Sequence, residues 1–356
     1  MLLLVTMFVE KLGTLKVSVV IAVSAVALGV AACGGADDST DGAANASSGG
    51  DGGKSLSLVA FSTPQVVYDE VIPEFEKTPE GKGVSFKTSY GGSGDQSRAV
   101  EAGLKADIVH LSLEPDVTRL VDAGLVSDDW QSKAKDGIIA DSVVAFAVRP
   151  GNPKGIEDWD DLLKPGVEVV TPNPFSSGGA KWNLLAGYGA NGDKGNDPEA
   201  GLAYLRELLT EHVKVQDKSA REALQTFLGG QGDVLIAYEN EAITAQKKGE
   251  ELDYVVPPST LLIETPVAVL DDAAPEATAF LDFLLSEPAQ TKFAEWGYRP
   301  VDEAVYEKNK DRFKQPDEIF TMADLGGWEK LNAELFDPEE GSVAKIEGEA
   351  GVSTAS

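Results

Sequence analysis

Two segments of the sequence combine serine, glycine and a following helix in a pattern that could bind an anion. In residues 171–182, Ser176-Ser177-Gly178-Gly179 separates a short apolar strand from a helix, and in residues 90–96 Gly91-Gly92-Ser93-Gly94 stands in the same position. The first turn of a helix leaves backbone N–H groups without acceptors, and the helix dipole is positive at that end. One such segment indicates no more than a capped helix start, but two copies predict an anion site.

Nucleophilic catalysis is the alternative use of these serines. Ser93 or Ser177 would be the nucleophile and a histidine the base. The two histidines of the chain are His110, inside a predicted strand, and His212, at a predicted helix end, so packing roles explain both. The chain is therefore predicted not to be an enzyme, and a serine-based hydrolase is kept as a remote alternative.

The net charge of the chain argues against some classes of ligand. With 59 acidic and 30 basic residues, its formal net charge is −29 at pH 7. This balance argues against nucleic-acid binding, which needs a basic surface. An acidic surface also repels small anions at long range, so an anion site here must rely on local dipoles. One cysteine permits no disulfide within the chain and two histidines offer little for zinc, so we expect no metal and no cofactor.

The amino-terminal segment is typical of an exported protein. Lys11 and Lys16 are followed by an apolar run that is short for a membrane span, and residues 1–32 are predicted to be a signal peptide. Met7 is an alternative start. The segment 33–55, rich in Gly, Ala, Ser and Asp, is predicted to be a flexible tether.

The end of the apolar run predicts how the protein is anchored. Val30-Ala31-Ala32-Cys33-Gly34 resembles a bacterial lipobox, which implies cleavage before Cys33 and lipid attachment to its sulfur. The alternative is a plain signal peptide with an incidental cysteine. Lipidation of Cys33 would hold the protein at the outer face of the cytoplasmic membrane.

From residue 56 onward, predicted strands and helices alternate, which is typical of α/β lobes with parallel sheets. Such sheets bind ligands at the carboxyl ends of their strands, where both Gly/Ser loops lie. A turn-rich passage at 149–153 predicts a crossing to a second lobe, and a strand at 252–256 predicts the return. The predicted domains are a first lobe over 56–147 and 255–340, a second lobe over 148–254, and a disordered tail over 341–356.

Several strings resemble, in the same order, the sulfate- and thiosulfate-binding proteins of bacterial ABC importers, which have the type II periplasmic-binding-protein fold. The most specific are Ser177-Gly178-Gly179-Ala180-Lys181-Trp182-Asn183 and Gly232-Asp233-Val234-Leu235-Ile236-Ala237-Tyr238-Glu239-Asn240-Glu241-Ala242. The others lie at residues 90–96, 105–109, 298–300 and 326–328. The resemblance covers roughly residues 56–336.

The resemblance implies both a fold and a function. The fold is α/β and two-lobed, each lobe a mixed sheet flanked by helices, with the ligand in the cleft between the lobes. The function is that of an extracytoplasmic lipoprotein, a monomer, that captures sulfate or thiosulfate without a counter-cation and delivers it to a membrane ABC permease. Binding proteins for molybdate, tungstate or phosphate are the alternatives.

The family's ligand-binding positions map onto this sequence residue by residue. The resemblance implies that Ser93, Ser177, Gly178, Gly179 and Ala220 donate hydrogen bonds to the anion. All five are neutral, and most are backbone donors at helix starts.

Two positions depart from the family pattern. Ser62 stands where the family has an aspartate, which removes a repulsive charge if the donor there is a backbone N–H. Tyr238 stands where the family has a tryptophan. An indole N–H can only donate a hydrogen bond, whereas a phenol can donate or accept one, so the preferred anion is open at this point.

Three carboxylates bear on the choice of ligand. Asp95 directly follows the Gly/Ser loop at residues 91–94. We expect it to cap the helix or to form a pair at the hinge, with its side chain pointing away from the site. Glu239 and Glu241 could be an acid–base pair, but the family pattern favours a role at the hinge or on a lobe surface.

Overall fold

The computed structural model describes residues 54–133 and 135–354. The predicted signal peptide, Cys33 with its predicted lipidation, and nearly all of the predicted tether lie outside the described residues. None of the helices in the described ranges is both long and apolar enough to cross a membrane.

The described residues form strands and helices that alternate along most of the chain. The strands are β1 (Lys54–Phe61), β2 (Val84–Gly91), β3 (Ile108–His110), β4 (Ile138–Val148), β5 (Val169–Pro172), β6 (Val213–Asp217), β7 (Val234–Tyr238), β8 (Asp253–Val255), β9 (Ser259–Val269), β10 (Arg299–Pro300) and β11 (Glu318–Phe320). The α-helices are α1 (Gln65–Phe75), α2 (Ser93–Glu101), α3 (Glu114–Asp122), α4 (Gly178–Asn191), α5 (Pro198–Glu207), α6 (Ala220–Leu228), α7 (Glu239–Lys247), α8 (Pro275–Leu284), α9 (Glu287–Glu295), α10 (Glu303–Asn309), α11 (Trp328–Leu331) and α12 (Ser342–Glu349).

The strands join into a mixed sheet with the order β2-β1-β3-β9-β4-β7-β5-β6. Parallel pairs lie at both ends: β1 pairs with β2 and β3, and β5 pairs with β6 and β7. The middle is antiparallel, because β9 pairs with β3 and β4, and β4 pairs with β7. The sheet is therefore mixed, as the resemblance implied, and not purely parallel, as the alternation alone predicted.

The two halves of the sheet are connected by the two longest strands, β4 and β9. The amino-terminal part of β4 pairs with β9, and its carboxyl-terminal residues 144–148 pair with β7. All residues from Ser142 to Val148 are buried, as expected of a strand covered on both faces. The chain thus crosses between the halves within β4, earlier than the predicted passage at 149–153, because one unbroken apolar strand serves both halves.

The predicted return at 252–256 also differs from the structure. β8 pairs with residues 146–148 of β4, in the same half as β7, and the chain returns through β9. Near the end of the chain β11 pairs with residues 259–261 of β9. The lobe boundaries at 148 and 255 stay predictions, because β4 belongs to both halves of the sheet.

The tail contains a helix that the sequence interpretation missed. Residues 342–349 form α12, whose Val343, Ala344 and Ile346 are buried against the rest of the protein. The prediction of disorder from Gly341 is therefore wrong for this segment. Its small and acidic residues resemble a disordered tail in composition, but their spacing gives the helix one apolar face.

Candidate functional site

Both Gly/Ser loops end on helix N-termini, as predicted. β5 leads to α4, whose N-cap is Ser177, and β2 leads to α2, whose N-cap is Gly92. Ser93 is already the first residue of α2, so its backbone N–H lies in the first turn of the helix. A third such start belongs to α6, which begins at Ala220 after the N-cap Ser219.

The starts of α2 and α4 face each other across the two halves of the sheet. A Cβ atom placed on Gly178 would lie 3.3 Å from the Cβ of Ser93, so the two helices meet at van der Waals distance. A Cβ atom on Gly179 would lie 3.5 Å from the hydroxyl oxygens of both Ser177 and Tyr238. Five of the predicted site residues are thus brought together. Glycine at 178 lets the backbone approach closely, since a Cβ there would lie 3.0 Å from Cγ of Leu113.

Tyr238 joins this group from the end of β7. Its side chain is 2% exposed, and its Oη lies 2.9 Å from the Oγ of Ser112, with either atom able to donate. Burial raises the pKa of Tyr238 well above its usual range, so the phenol keeps its proton. The backbone O of Ser112 in turn accepts from the indole N–H of Trp182 at 2.8 Å, which connects α4 to the opposite half of the sheet.

The hydroxyl of Ser93 is already paired within the protein. Its Oγ donates to Oδ2 of Asp116 at 2.6 Å and accepts from the backbone N–H of Ser112 at 2.8 Å. Arg119 holds the other oxygen of Asp116 at 3.1 Å. The hydroxyl of Ser93 therefore donates to a carboxylate and not to a ligand. The donor that Ser93 can offer a ligand is its backbone N–H, in the first turn of α2.

Ser62 and Ala220 lie on either side of a second contact between the halves. The guanidinium of Arg221 donates to the backbone O of Ser62 at 2.7 Å and to Oε1 of Gln65 at 2.9 Å. This contact links the first turn of α6 to the loop before α1. A cavity of about 310 Å³ borders Thr63, Arg221 and residues 240–241, which lie two and three positions after Tyr238.

The other carboxylates near the site are also paired within the protein. Asp95 forms an ion pair with Arg98 on its own helix at 2.6 Å and is largely exposed. Glu239 is buried and accepts from Nε of Arg299 at 2.9 Å and from the backbone N–H of Lys314 at 2.8 Å. Glu241 accepts from the backbone N–H of Tyr238 at 3.0 Å, and burial raises its pKa to about 7.

The two histidines have structural roles, as expected. His110 is fully buried, with Nδ1 2.8 Å from Oη of Tyr68 and Nε2 3.1 Å from Oγ1 of Thr265, and burial lowers its pKa to about 3. Nδ1 of His212 lies 3.2 Å from the backbone O of Val167. Neither pairs with a site serine. The described ranges also hold no group of three or more His, Cys, Asp or Glu side chains placed to bind a metal ion.

Sequence interpretation missed several residues that organise the site. Asp116, Arg119 and Ser112 act through contacts between distant parts of the chain, which no local pattern reveals. Asn173 was also missed, although an asparagine at the start of a loop commonly accepts a hydrogen bond from an N–H two residues on. Here its Oδ1 accepts from the N–H of Phe175 at 2.8 Å.

Neutral helix-start donors between two halves of a mixed sheet, joined by long crossing strands, define a solute-binding protein. The chain belongs to the family of bacterial extracellular solute-binding proteins, which it matches over residues 56–299. It is 43% identical over 325 residues to the sulfate-binding protein of Synechococcus elongatus, covering 88% of this chain and 91% of the relative. It is 34% identical over 292 residues to the thiosulfate-binding protein of Pseudomonas aeruginosa, covering 78% and 88%.

A solved structure agrees with this assignment. The sulfate-binding protein SubI of Mycobacterium tuberculosis H37Rv is 49% identical, covers 80% of this chain and 100% of its own, and superposes with a TM-score of 0.78. The match confirms the predicted two-lobed, mixed-sheet fold of type II binding proteins. The relatives are binding proteins and not enzymes, which confirms that prediction as well.

Proposed function

We propose that the protein captures sulfate between its two lobes and delivers it to an ABC permease. The observation that carries this proposal is the meeting of neutral donors from α2 and α4 beside Tyr238, where the neighbouring carboxylates are paired within the protein. The sulfate-binding relatives, which match most of the chain, support the choice of ion.

The donors would act together at the starts of three helices. Ser177 supplies its hydroxyl, and Gly178 and Gly179 supply backbone N–H groups from the first turn of α4. Ser93 and Ala220 supply backbone N–H groups from α2 and α6. Helix-start N–H groups are oriented before the anion arrives, so binding requires little reorganisation.

Ser62 and Tyr238 would complete the site where the chain departs from its family. Ser62 contributes its backbone N–H, and its side chain brings no charge. Tyr238 contributes a phenolic hydroxyl, which can donate to the anion as an indole N–H does. The phenolic oxygen of tyrosine lies farther from the backbone than the indole nitrogen of tryptophan, so Tyr238 presents its donor at a different distance.

The donor set explains selectivity against phosphate. Sulfate is fully ionised at neutral pH and only accepts hydrogen bonds, so a pocket of donors satisfies all its oxygens. Hydrogen phosphate carries a proton that needs an acceptor, and leaving it unpaired in a buried site costs about 1–3 kcal/mol. That cost corresponds to roughly a tenfold to hundredfold loss of affinity.

The export and anchoring of the protein belong to the same proposal. Cleavage before Cys33 and lipidation of its sulfur would place the binding body, as a monomer, at the outer face of the cytoplasmic membrane. The tether would let the body reach the permease, and closure of the lobes about β4 and β9 would present the loaded form.

Isothermal titration calorimetry of residues 34–356 with sulfate, thiosulfate, molybdate and phosphate at neutral pH tests the proposal. We expect sulfate to bind and phosphate to give no heat. Thiosulfate is the second candidate, supported by the thiosulfate-binding relative. A preference for phosphate would require an acceptor in the cleft and would overturn the proposal.

A further inference from the structure

The loop before α4 is organised by one buried side chain. Asn173 is 9% exposed, and its backbone O accepts the N–H of Ser177 at 2.9 Å and that of Ser176 at 3.3 Å. Its Oδ1 accepts from Phe175, so both its main chain and its side chain fix the loop. The remaining donor, Nδ2, is directed to a distant part of the chain: the backbone O of Ser353, at 3.0 Å.

The carboxyl-terminal segment reaches this loop from a firmly packed helix. In α12, Glu347 is fully buried and accepts from Nε2 of Gln216 on the edge strand β6 at 2.8 Å. Gly351 has φ +76°, a conformation that favours glycine, and the N–H of Val352 donates to the backbone O of Glu347 at 2.9 Å. The chain then leaves the helix in the direction of the loop.

The segment touches the loop at more than one point. Thr354 borders a cavity of about 380 Å³ together with Pro174 and Phe175 of the loop. Residues 352–354 thus lie along the loop that carries Ser177.

We propose that residues 352–354 form a strap that positions the anion-binding loop, and that Asn173 is the positioning residue through which the strap acts. This inference rests on the proposed function, since the loop matters to binding only if Ser177 and the start of α4 donate to the anion. Holding the loop in its bound conformation before the anion arrives lowers the cost of binding. The strap affects how long the anion is retained without contacting it.

A pair of truncations tests the strap in the otherwise full-length chain. A chain that ends at Gly351 lacks the strap, and a control chain that ends at Thr354 keeps it. We expect the dissociation rate of sulfate, measured by stopped-flow tryptophan fluorescence, to rise about threefold to tenfold in the first chain and to stay unchanged in the control. Equal rates in all three chains would overturn the proposal.

A double-mutant cycle separates positioning from a general loss of stability. Asn173→Asp keeps the acceptor for Phe175 but loses the Nδ2 donor, so truncation at Gly351 should have no further effect on the dissociation rate in that background. If truncation has the same effect in both backgrounds, Asn173 is not the point of action and the proposal fails.

Hydrogen exchange separates this inference from the proposed function. Without any anion, the amides of Ser176 and Ser177 should exchange faster in the chain that ends at Gly351 than in the control. Unchanged exchange would overturn the strap. If the intact chain does not bind sulfate but the chain that ends at Gly351 still shows the faster exchange, the proposed function is overturned and the strap stands.

Discussion

The N-terminus of α7 differs from those of α2 and α4 in the kind of negative charge that it stabilises. α7 begins with Glu239, a permanent carboxylate whose Oε2 lies 2.8 Å from Nη2 of Arg299, with both side chains at most 5% exposed. α2 and α4 begin with Ser93 and Gly178, which are neutral and present N–H groups. The carboxylate of Glu239 is part of the protein and is paired with a cation. The proposed site for the exchangeable anion is instead formed by neutral hydrogen-bond donors.

The difference has a physical reason. A buried cation in the anion site would be left unpaired each time the anion departed, and an unpaired buried charge costs several kcal/mol. Backbone N–H groups and hydroxyls can be hydrated by water when the lobes open, so the empty state is not penalised in this way. Neutral donors thus allow both tight binding and release.

The largest expected effect on sulfate affinity comes from placing a permanent negative charge where the anion is proposed to bind. Ser177→Asp puts a carboxylate among the N–H groups of α4, so it should repel sulfate and weaken binding by at least about a hundredfold in calorimetry. Ser177→Ala is the matched control and should lose only one hydrogen bond to a charged group, about tenfold. Normal sulfate binding by Ser177→Asp would contradict the site assignment.

Removing the cation from the permanent pair should affect stability and not binding. Arg299→Met leaves Glu239 buried without its partner, and we expect the free energy of unfolding in urea to fall by about 3–5 kcal/mol. The double variant Glu239→Gln/Arg299→Met should lose clearly less, and the folded fraction of both should bind sulfate normally. A single variant as stable as the double one would show that the pair does not act as described.

The smallest expected effect on sulfate affinity comes from Glu241, which accepts a hydrogen bond from the backbone N–H of Tyr238. Burial raises its pKa to about 7, so the folded protein holds this proton up to neutral pH, and the stability it contributes below its usual pKa is lost as pH rises through 7. Ionisation also adds a negative charge next to Tyr238, so sulfate affinity should fall between pH 6 and pH 8 by an amount on the order of 1 kcal/mol, about fivefold.

Glu241→Gln is the matched variant for this pH dependence. It keeps an acceptor for the N–H of Tyr238 but cannot ionise, so its sulfate affinity in calorimetry should be flat over the same range. A fall of equal size in Glu241→Gln would assign the pH dependence to another group.

The sequence sufficed for those features that depend on local patterns. The sequence correctly predicts a helix start at the Ser-Ser-Gly-Gly turn, the strands before both loops and the structural roles of the histidines. Local chemistry decides them: glycine and serine end strands and cap helices, and apolar periodicity separates strand from helix. The fold class followed from the longer strings that resemble a family.

The features that the sequence did not predict depend on contacts between residues that are distant in the chain. No local signal in β4 shows that its two ends pair with different parts of the sheet. The hydroxyl of Ser93 points to Asp116 because α3 packs beside α2, and the tail is ordered because α12 finds a complementary surface near α5. Composition predicted disorder there, and tertiary packing determined the outcome.

A crystal structure of the protein with sulfate bound would show which groups hold the anion. We expect sulfate oxygens at about 2.7–3.2 Å from the backbone N atoms of Gly178 and Gly179 and from Oγ of Ser177. We also expect no lysine or arginine nitrogen within about 4 Å of the anion. A guanidinium of Arg221 or another cation bonded to sulfate would contradict the claim that neutral donors alone hold it.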